Sequence, residues 1–207
     1  MKTARWLLWP LAMALTLVGC SSSMTTDAET ESSLQGYHSL YIEPLVIHYD
    51  PSPHQDSLHR GPEAFQLDER QHQRLQQEFE QAVTGAWQRR PGWRQAAAPG
   101  PGVVSLKVEL DRFRLHAPLR DERPEPAHTL VGESSRFTLV AQLLDSATGE
   151  VLLESRQRRV TGERGGGSER LRPFSAVRYW SDFHRSVAGW ARQMQRALPS
   201  SPGKAEP

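Results

Sequence analysis

The chain has a single cysteine, Cys20, among its 207 residues. One cysteine cannot form an intramolecular disulfide, so the folded part must derive its stability from its core. Long apolar runs are also lacking, since the stretch from Trp6 to Leu17 is too short to cross a bilayer as a helix. The formal net charge is only +1, which excludes the strongly basic field typical of nucleic-acid-binding proteins.

The motifs of common enzyme classes are missing as well. There is no Gly-x-Ser-x-Gly sequence, which would indicate the nucleophile elbow of a hydrolase. The run Gly165–Gly167 does not precede a Lys-Ser or Lys-Thr helix start, so it is not a phosphate-binding loop. The pair Asp68 and Glu69 suits the start of a helix better than an acid–base couple. We therefore expect no enzymatic activity and no cofactor.

What the N-terminus does contain is a short leader. Lys2 and Arg5 precede the apolar stretch, which ends in Leu17-Val18-Gly19-Cys20, and three serines follow. This segment resembles the lipobox of bacterial lipoproteins. The resemblance implies that Cys20 is the lipid attachment site, that residues 1–19 are cleaved as a signal peptide, and that the new amine is acylated. The alternative is an ordinary secretory leader with a lone cysteine at this position.

The residue after Cys20 bears on the destination. Lipoproteins kept at the inner membrane often carry Asp there, whereas this chain has Ser21. The resemblance therefore implies an outer-membrane location, with the domain facing the periplasm and held by two or three acyl chains. Loss of Lys2 and Arg5 with the leader changes the formal charge from +1 to −1, so we expect no nucleic-acid partner.

Composition divides the rest of the chain. Residues 20–36 comprise the lipidated cysteine and a polar stretch with almost no apolar residues, which predicts a flexible tether with a reach of about 20 Å. Residues 37–198 are long enough for a single α/β domain with a sizeable core. Residues 199–207 are rich in proline and serine and predict a disordered tail.

Apolar periodicity predicts the elements of that domain. A first strand is interrupted by Pro44, which favours an edge position or a bulge. A helix begins at Asp68 with Gln71 three residues later, as in a capping box. The next strand changes phase at Asp111-Arg112, which indicates a bulge. A turn at 145–150 connects two more strands as a hairpin, and a last helix starts at about Ser181.

This order, β-α-β-β-β-α, predicts the fold class. We expect an α/β (α+β) two-layer sandwich with a mixed four-stranded sheet and both helices on one face. A right-handed crossover would make the first two strands parallel. Each helix should bury one stripe: Leu75, Phe79, Ala82, Val83, Ala86 and Trp87 in the first, and Phe183, Val187, Trp190, Met194 and Leu198 in the second.

Four segments together resemble a known family. They are Tyr37–Pro44 (YHSLYIEP), the helix Glu69–Arg89, the turn Asp145–Val151 (DSATGEV) and Asp182–Leu198 (DFHRSVAGWARQMQRAL). The pattern is similar to the bacterial lipoprotein family called domain of unknown function 3313. The resemblance implies an exported, usually lipid-anchored α/β domain, and the family has no established activity.

Histidines provide the main candidates for metal binding. His48, His54 and His59 lie in one predicted loop with Asp50 and Asp56, a set that could hold zinc or copper. Their spacing matches no recognised site, and scattered histidines in a solvated loop are the alternative. We favour this alternative and expect no metal site.

An excess of arginine marks residues 151–185. It predicts a partner contact at Arg156, Arg158, Arg159, Arg178, Tyr179 and Trp180. Such a surface could favour anionic lipid headgroups, lipopolysaccharide phosphates or an acidic protein. The alternative is a solvated strand edge on which Arg156 and Arg158 discourage pairing with other strands, and we favour this alternative.

Three functions remain from the sequence. The first is a non-enzymatic interaction or accessory module of the cell envelope, anchored to the outer membrane through its lipid. The second is a lipid-binding or transport-associated accessory subunit, with an acyl chain in a groove between sheet and helices. A hydrolase or metal binder is third, and no motif favours it.

Overall fold

The computed structural model describes residues 34, 36–52, 62–119, 130–162 and 172–197. The predicted lipobox with Cys20, most of the tether and the C-terminal tail lie outside these residues. Within them, no helix is both long and apolar enough to span a membrane. The elements are β1 (Ser39–Ile42), β2 (Val46–Tyr49), a 3-10 turn (Pro62–Phe65), α1 (Glu69–Trp87), β3 (Arg94–Gln95), β4 (Val103–Leu115), β5 (Leu130–Val131), β6 (Ser135–Asp145), β7 (Val151–Thr161), β8 (Arg172–Pro173) and α2 (Ala176–Ala197).

A mixed sheet forms one layer of the domain. Its strand order is β3-β1-β4-β6-β7, and β2 also pairs with β4. Both β1 and β2 run parallel to β4, as the crossover through α1 predicts, while β4, β6 and β7 are antiparallel neighbours. The predicted hairpin is β6–β7. A separate small sheet pairs β5 with β8, which the sequence did not predict.

The first predicted strand is divided at Pro44. Ile42 pairs with Leu106 and Val46 pairs with Glu109, so the first strand contains one more residue than β4 over this stretch. The interruption follows from Pro44, which has no N–H to donate to the ladder. The neighbouring N–H of Leu45 instead donates to Oε1 of Gln76 in α1, at 2.7 Å.

A bulge interrupts β4 where the sequence predicts one. Asp111 pairs with Thr138 and Arg114 with Arg136, which leaves one extra residue in β4. Arg112 occupies the left-handed region with φ of 52°, a conformation that costs a non-glycine residue energy. Because the bulge adds one residue to β4, Phe113 faces the helices. Its ring lies near that of Phe137, with the two centroids 6.0 Å apart.

Both helices pack on the same face of the sheet, so the predicted fold class is confirmed. The main sheet has six strands instead of the predicted four, because the first predicted strand is divided in two and β3 is added. Helix α1 begins at a capping box between Asp68 and Gln71. Phe79 of α1 stacks against Trp190 of α2 at 6.4 Å, and neither ring is accessible to solvent. The core between the layers is therefore filled by large side chains.

Helix α2 begins at Ala176, five residues earlier than predicted. Tyr179 and Trp180 consequently lie inside its first turns and are 0% and 4% exposed. The expectation that they form an exposed contact is wrong, because they continue the buried stripe of Phe183 and Val187 toward the N-terminus of the helix. The N–H of Tyr179 donates to the carbonyl of Ser175 at 2.9 Å, which marks the first helical turn.

The core extends slightly before the predicted domain start. Leu34, which composition assigns to the tether, is 3% exposed and belongs to the main hydrophobic cluster. Tyr37 donates a hydrogen bond from its hydroxyl to Asp145 at the end of β6. The segment preceding β1 is thus attached to the end of the sheet that carries the β6–β7 turn.

Candidate functional site: the open face of the sheet

The face of the sheet opposite the helices is the candidate site, and we call it the open face. Its side chains alternate along β2, β4, β6 and β7 with those that enter the core. Most described side chains on it are half-buried or exposed, including Val46, of which 39% is exposed. In contrast, the inner positions of β4 and β6 are almost completely buried.

Ion pairs cover the centre of the open face. Glu109 lies between two bases, with Oε2 at 3.3 Å from Nε2 of His48 and Oε1 at 3.2 Å from Nζ of Lys107. Nη2 of Arg156 reaches across β6 to Oδ2 of Asp111 in β4, at 2.8 Å. These pairs are partly solvated, so each contributes little to stability, but they fix the positions of charges on this surface.

A second group of charges lies where β4 ends. Oδ2 of Asp50 is 3.7 Å from Nη1 of Arg114, and Glu133 contacts both Arg136 and His116, the latter at 2.8 Å. Hydrogen bonds from Ser52, together with the charge of Arg114, lower the pKa of Asp50. Burial lowers the pKa of His116, and the charge of Glu133 opposes this effect.

The fold separates the arginines that the sequence placed in one surface. Arg156 and Arg158 are exposed on the open face. Arg159 faces the helices and donates to Gln157 and to Gln193 of α2, and burial lowers its pKa. Arg178 is exposed on α2, on the other layer. Only the first two of the six predicted contact residues therefore share this surface.

The predicted histidine group is only partly visible. His48 lies on the open face beside Glu109, whereas His54, His59 and Asp56 lie outside the described residues. In the part of the chain that the structure describes, no three His, Cys, Asp or Glu side chains form a group that could hold a metal ion.

The acidic partners on the open face were not predicted from the sequence. Glu109 and Asp111 alternate with Val108 and Leu110, which enter the core. That alternation placed them on the solvent side of a strand, but it did not indicate which bases would lie next to them. The crossing of Arg156 over β6 depends on strand order, which only the fold provides.

A cleft at the opposite edge of the sheet is a second candidate. It has a volume of about 60 Å³ and lies between the end of α1 and the strands β1 and β3. Its walls include Leu40, Ile42, Trp87 and Trp93, and the two indole rings meet edge to face at 6.4 Å. The buried Nε1 of Trp87 has no hydrogen-bond partner among the described residues.

Comparison with known proteins gives no family assignment. No family model matches the chain, and no curated protein matches it. The resemblance to domain of unknown function 3313 is therefore not confirmed.

Solved structures provide distant similarities. A Xanthomonas campestris protein assigned to domain of unknown function 330 has 12% identity and a TM-score of 0.41, with 76% of this chain and 81% of that chain covered. A PelC dodecamer from Paraburkholderia phytofirmans has 12% identity, a TM-score of 0.38 and coverages of 76% and 89%. A Caulobacter crescentus protein provisionally described as a lipoprotein has 18% identity, a TM-score of 0.31 and coverages of 82% and 93%. Matches at this level do not establish a shared function.

Proposed function

We propose that this protein is a lipoprotein of the bacterial outer membrane, facing the periplasm, and acts as a non-enzymatic interaction module whose contact surface is the open face. The asymmetry of the two-layer fold is the observation that supports this proposal. Both helices cover one side of the sheet, and the other side presents paired charges around the exposed Val46. A rigid sheet with such a face suits docking to another macromolecule.

A protein of the envelope is the partner that the charges favour. Anionic lipid headgroups are attracted by unpaired basic residues near the membrane. On the open face, Lys107, Arg136 and Arg156 each lie against a carboxylate, so their charges are largely compensated. An alternating pattern of both signs supports recognition of a complementary protein surface better than attraction to a lipid layer.

The same pairing supports a non-enzymatic role. Glu109 and Asp111 lie beside Lys107 and Arg156, at 3.2 and 2.8 Å respectively. Ion pairs of this kind fix the positions of charges for recognition, and no catalytic motif accompanies them in the sequence.

Site-specific crosslinking in cells tests the proposed surface. A photo-crosslinking amino acid at Val46 reports contacts of the open face, and the same amino acid at the exposed Gln81 of α1 reports contacts of the helical layer. We expect a discrete adduct with an envelope protein from position 46 only, which mass spectrometry would identify. Adducts from position 81 alone would contradict the proposal.

Lipid binding is the second candidate, and the cleft at Trp87 and Trp93 favours it. The walls are mainly apolar and include the side chains of Trp87 and Trp93. The volume of about 60 Å³ is well below the range of about 300–1,000 Å³ for sites that enclose a whole small molecule, so the cleft would hold only part of a lipid. Lipid extracted from purified wild-type protein but absent from Trp87→Phe would support this function over the first.

A further inference from the structure

The outer edge of β7 is the longest unpaired backbone surface in the described part of the fold. β7 has 11 residues, and within the described ranges only β6 pairs with it. The strand at the opposite edge, β3, has two residues. An antiparallel edge strand leaves alternate N–H and C=O groups without a ladder partner, and it offers them to another strand. β7 contains no proline that would block this edge.

We propose that two copies of this protein pair through their β7 edges, antiparallel and in full register, to form one continuous sheet. Full overlap of Val151–Thr161 with itself places the two-fold axis at Arg156. Glu154 of each copy then lies opposite Arg158 of the second copy on the open face. Opposite charges in directly facing positions stabilise a strand pair, and here the contact occurs twice by symmetry.

Buried polar atoms on the inner side of β7 support the same register independently. Ser155 and Gln157 are 5% and 7% exposed, and Ser155 Oγ and Gln157 Nε2 have no hydrogen-bond partner among the described residues. In the full register, Ser155 of one copy lies opposite Gln157 of the other. Facing Cβ atoms are about 4.5–5.5 Å apart, so the amide can donate to the hydroxyl. Pairing thus supplies partners for atoms that otherwise lack them.

Arg156 would face its own copy at the axis, and the structure shows why this is tolerated. Its guanidinium extends away from the edge, across β6, to Asp111 at 2.8 Å. The like charges are therefore neutralised and drawn apart. A shift of the register by two residues in one direction instead places Arg156 opposite Arg158 at two positions. A shift in the other direction places Glu154 opposite Arg156 at two positions, but it leaves Arg158 opposite Leu152 and Gln157 opposite Leu153. Full register is therefore the one that pairs Glu154 with Arg158 and also Ser155 with Gln157.

Disulfide trapping in the full-length, membrane-bound protein tests the pairing. Cysteines replacing Arg156 would face each other at the axis, within the distance of about 4.4–6.8 Å between Cα atoms that a disulfide needs. Cysteines replacing Glu154 would be about 14 Å apart along the strand, at about 3.4 Å per residue. We expect a crosslinked dimer on a non-reducing gel from Arg156→Cys, and no more than the background of the unaltered chain from Glu154→Cys.

Exchanging the charges at positions 154 and 158 tests the register of the pairing. In the Arg156→Cys protein, Glu154→Arg alone and Arg158→Glu alone should each reduce the crosslinked fraction several-fold, and the two together should restore it. Equal crosslinking from Arg156→Cys and Glu154→Cys, or no recovery in the double exchange, would overturn the proposal. The pairing goes beyond the proposed function, because trapping reports self-association whether or not an envelope partner binds the open face.

Discussion

At the scale of residues, the contact between Tyr37 and Asp145 joins segments that are far apart in the chain. The Tyr37 hydroxyl donates to Oδ2 of Asp145, while Oδ1 accepts from the N–H groups of Ala147 and Thr148 at 2.6 and 2.9 Å. The bond from Tyr37 is the main reason that the pKa of Asp145 is lowered, and the same bond raises the pKa of Tyr37 to about 12. One hydrogen bond thus stabilises both the neutral phenol and the ionised carboxylate.

Replacing Tyr37 by Phe should raise the pKa of Asp145 toward its ordinary value. The cause is loss of the hydroxyl donor, and an NMR titration of the Asp145 carboxyl carbon measures it. Tyr41→Phe, a change of the same kind in β1, serves as the control and should leave the Asp145 titration unaltered. A Tyr37→Phe protein with the wild-type pKa at Asp145 would show that the turn amides alone determine it.

The pH dependence of stability follows from these directions. The folded pKa of Asp145 lies below its unfolded value, so its contribution is fully present above the unfolded pKa of about 3.9 and is lost as the pH falls through the folded value. The difference between the urea midpoints of wild type and Tyr37→Phe should therefore begin to shrink as the pH falls below about 4. On the alkaline side, the contribution of Tyr37 is lost as the pH rises through about 12.

The buried side chain of Trp190 should contribute strongly to the stability of the core. The side chain is 0% exposed and stacks on Phe79. Trp190→Ala should lower the free energy of unfolding by about 3–5 kcal/mol, because it removes buried contacts and leaves a cavity. Arg192→Ala, an exposed change on the same helix, should leave the melting curve nearly unchanged. Equal melting temperatures for the two variants would contradict the burial of Trp190.

At the scale of elements, the division between β1 and β2 depends on a helix side chain. The N–H of Leu45 follows Pro44 and donates to Gln76 Oε1 at 2.7 Å, outside the strand ladder. Gln76→Ala should cost about 1 kcal/mol, near the low end of the range for an unsatisfied donor because the site is only partly buried. Urea denaturation measures the difference from wild type.

The neighbouring Gln77 provides a matched control for this prediction. Gln77 is exposed on α1, and Gln77→Ala removes the same side chain from the same helix. Any general effect of alanine on helix stability is therefore common to both variants. If Gln76→Ala and Gln77→Ala had the same denaturation midpoint, the bond to Leu45 would contribute nothing to the folded state.

Local signals in the sequence predicted much of the fold. The capping box at Asp68, the bulge at Asp111-Arg112 and the turn after Asp145 each depend on a few adjacent residues, and all three are present. The strand interruption was also signalled, because Pro44 cannot donate to a ladder. Such features are encoded by neighbours in the chain, so a sequence can reveal them without the tertiary structure.

Two features of the fold were not predicted, the start of α2 and the pairing of β5 with β8. The start of α2 was missed because Tyr179 and Trp180 were interpreted as surface aromatics, although Tyr179 lies four residues before Phe183 on the same helical stripe. Helical spacing and Ser175 just before the helix could have identified the start. The pairing of β5 with β8 had no such signal, since each strand has two residues.

At the scale of the whole molecule, strand order determines which charges meet. Arg156, Arg158 and Arg159 are close in sequence, but β7 turns the third toward α2 and the other two toward the open face. The acidic residues that accompany them, Glu109 and Asp111, come from β4. The candidate surface could therefore be predicted only in part, because a list of arginines contains no information on neighbouring strands.

The contact of Tyr37 with Asp145 also orients the proposed assembly. It holds the chain that leads back toward Cys20 at the end of the sheet where β6 turns into β7. In the proposed dimer, antiparallel pairing places the two such ends at opposite sides of the shared sheet. If both copies are anchored through the predicted tethers, we expect the shared sheet to lie along the membrane rather than upright.

The orientation of the dimer and the proposed outer-membrane location both depend on anchoring through Cys20. Cys20→Ala removes the only thiol of the chain, so the lipid cannot attach and the leader should remain uncleaved. We expect loss of labelling with radioactive palmitate and a slower-migrating protein on a gel. Ser21→Asp keeps the thiol and should remain labelled while moving to the inner-membrane fraction. Continued labelling of Cys20→Ala would refute the lipobox, and an unchanged location of Ser21→Asp would refute only the sorting step.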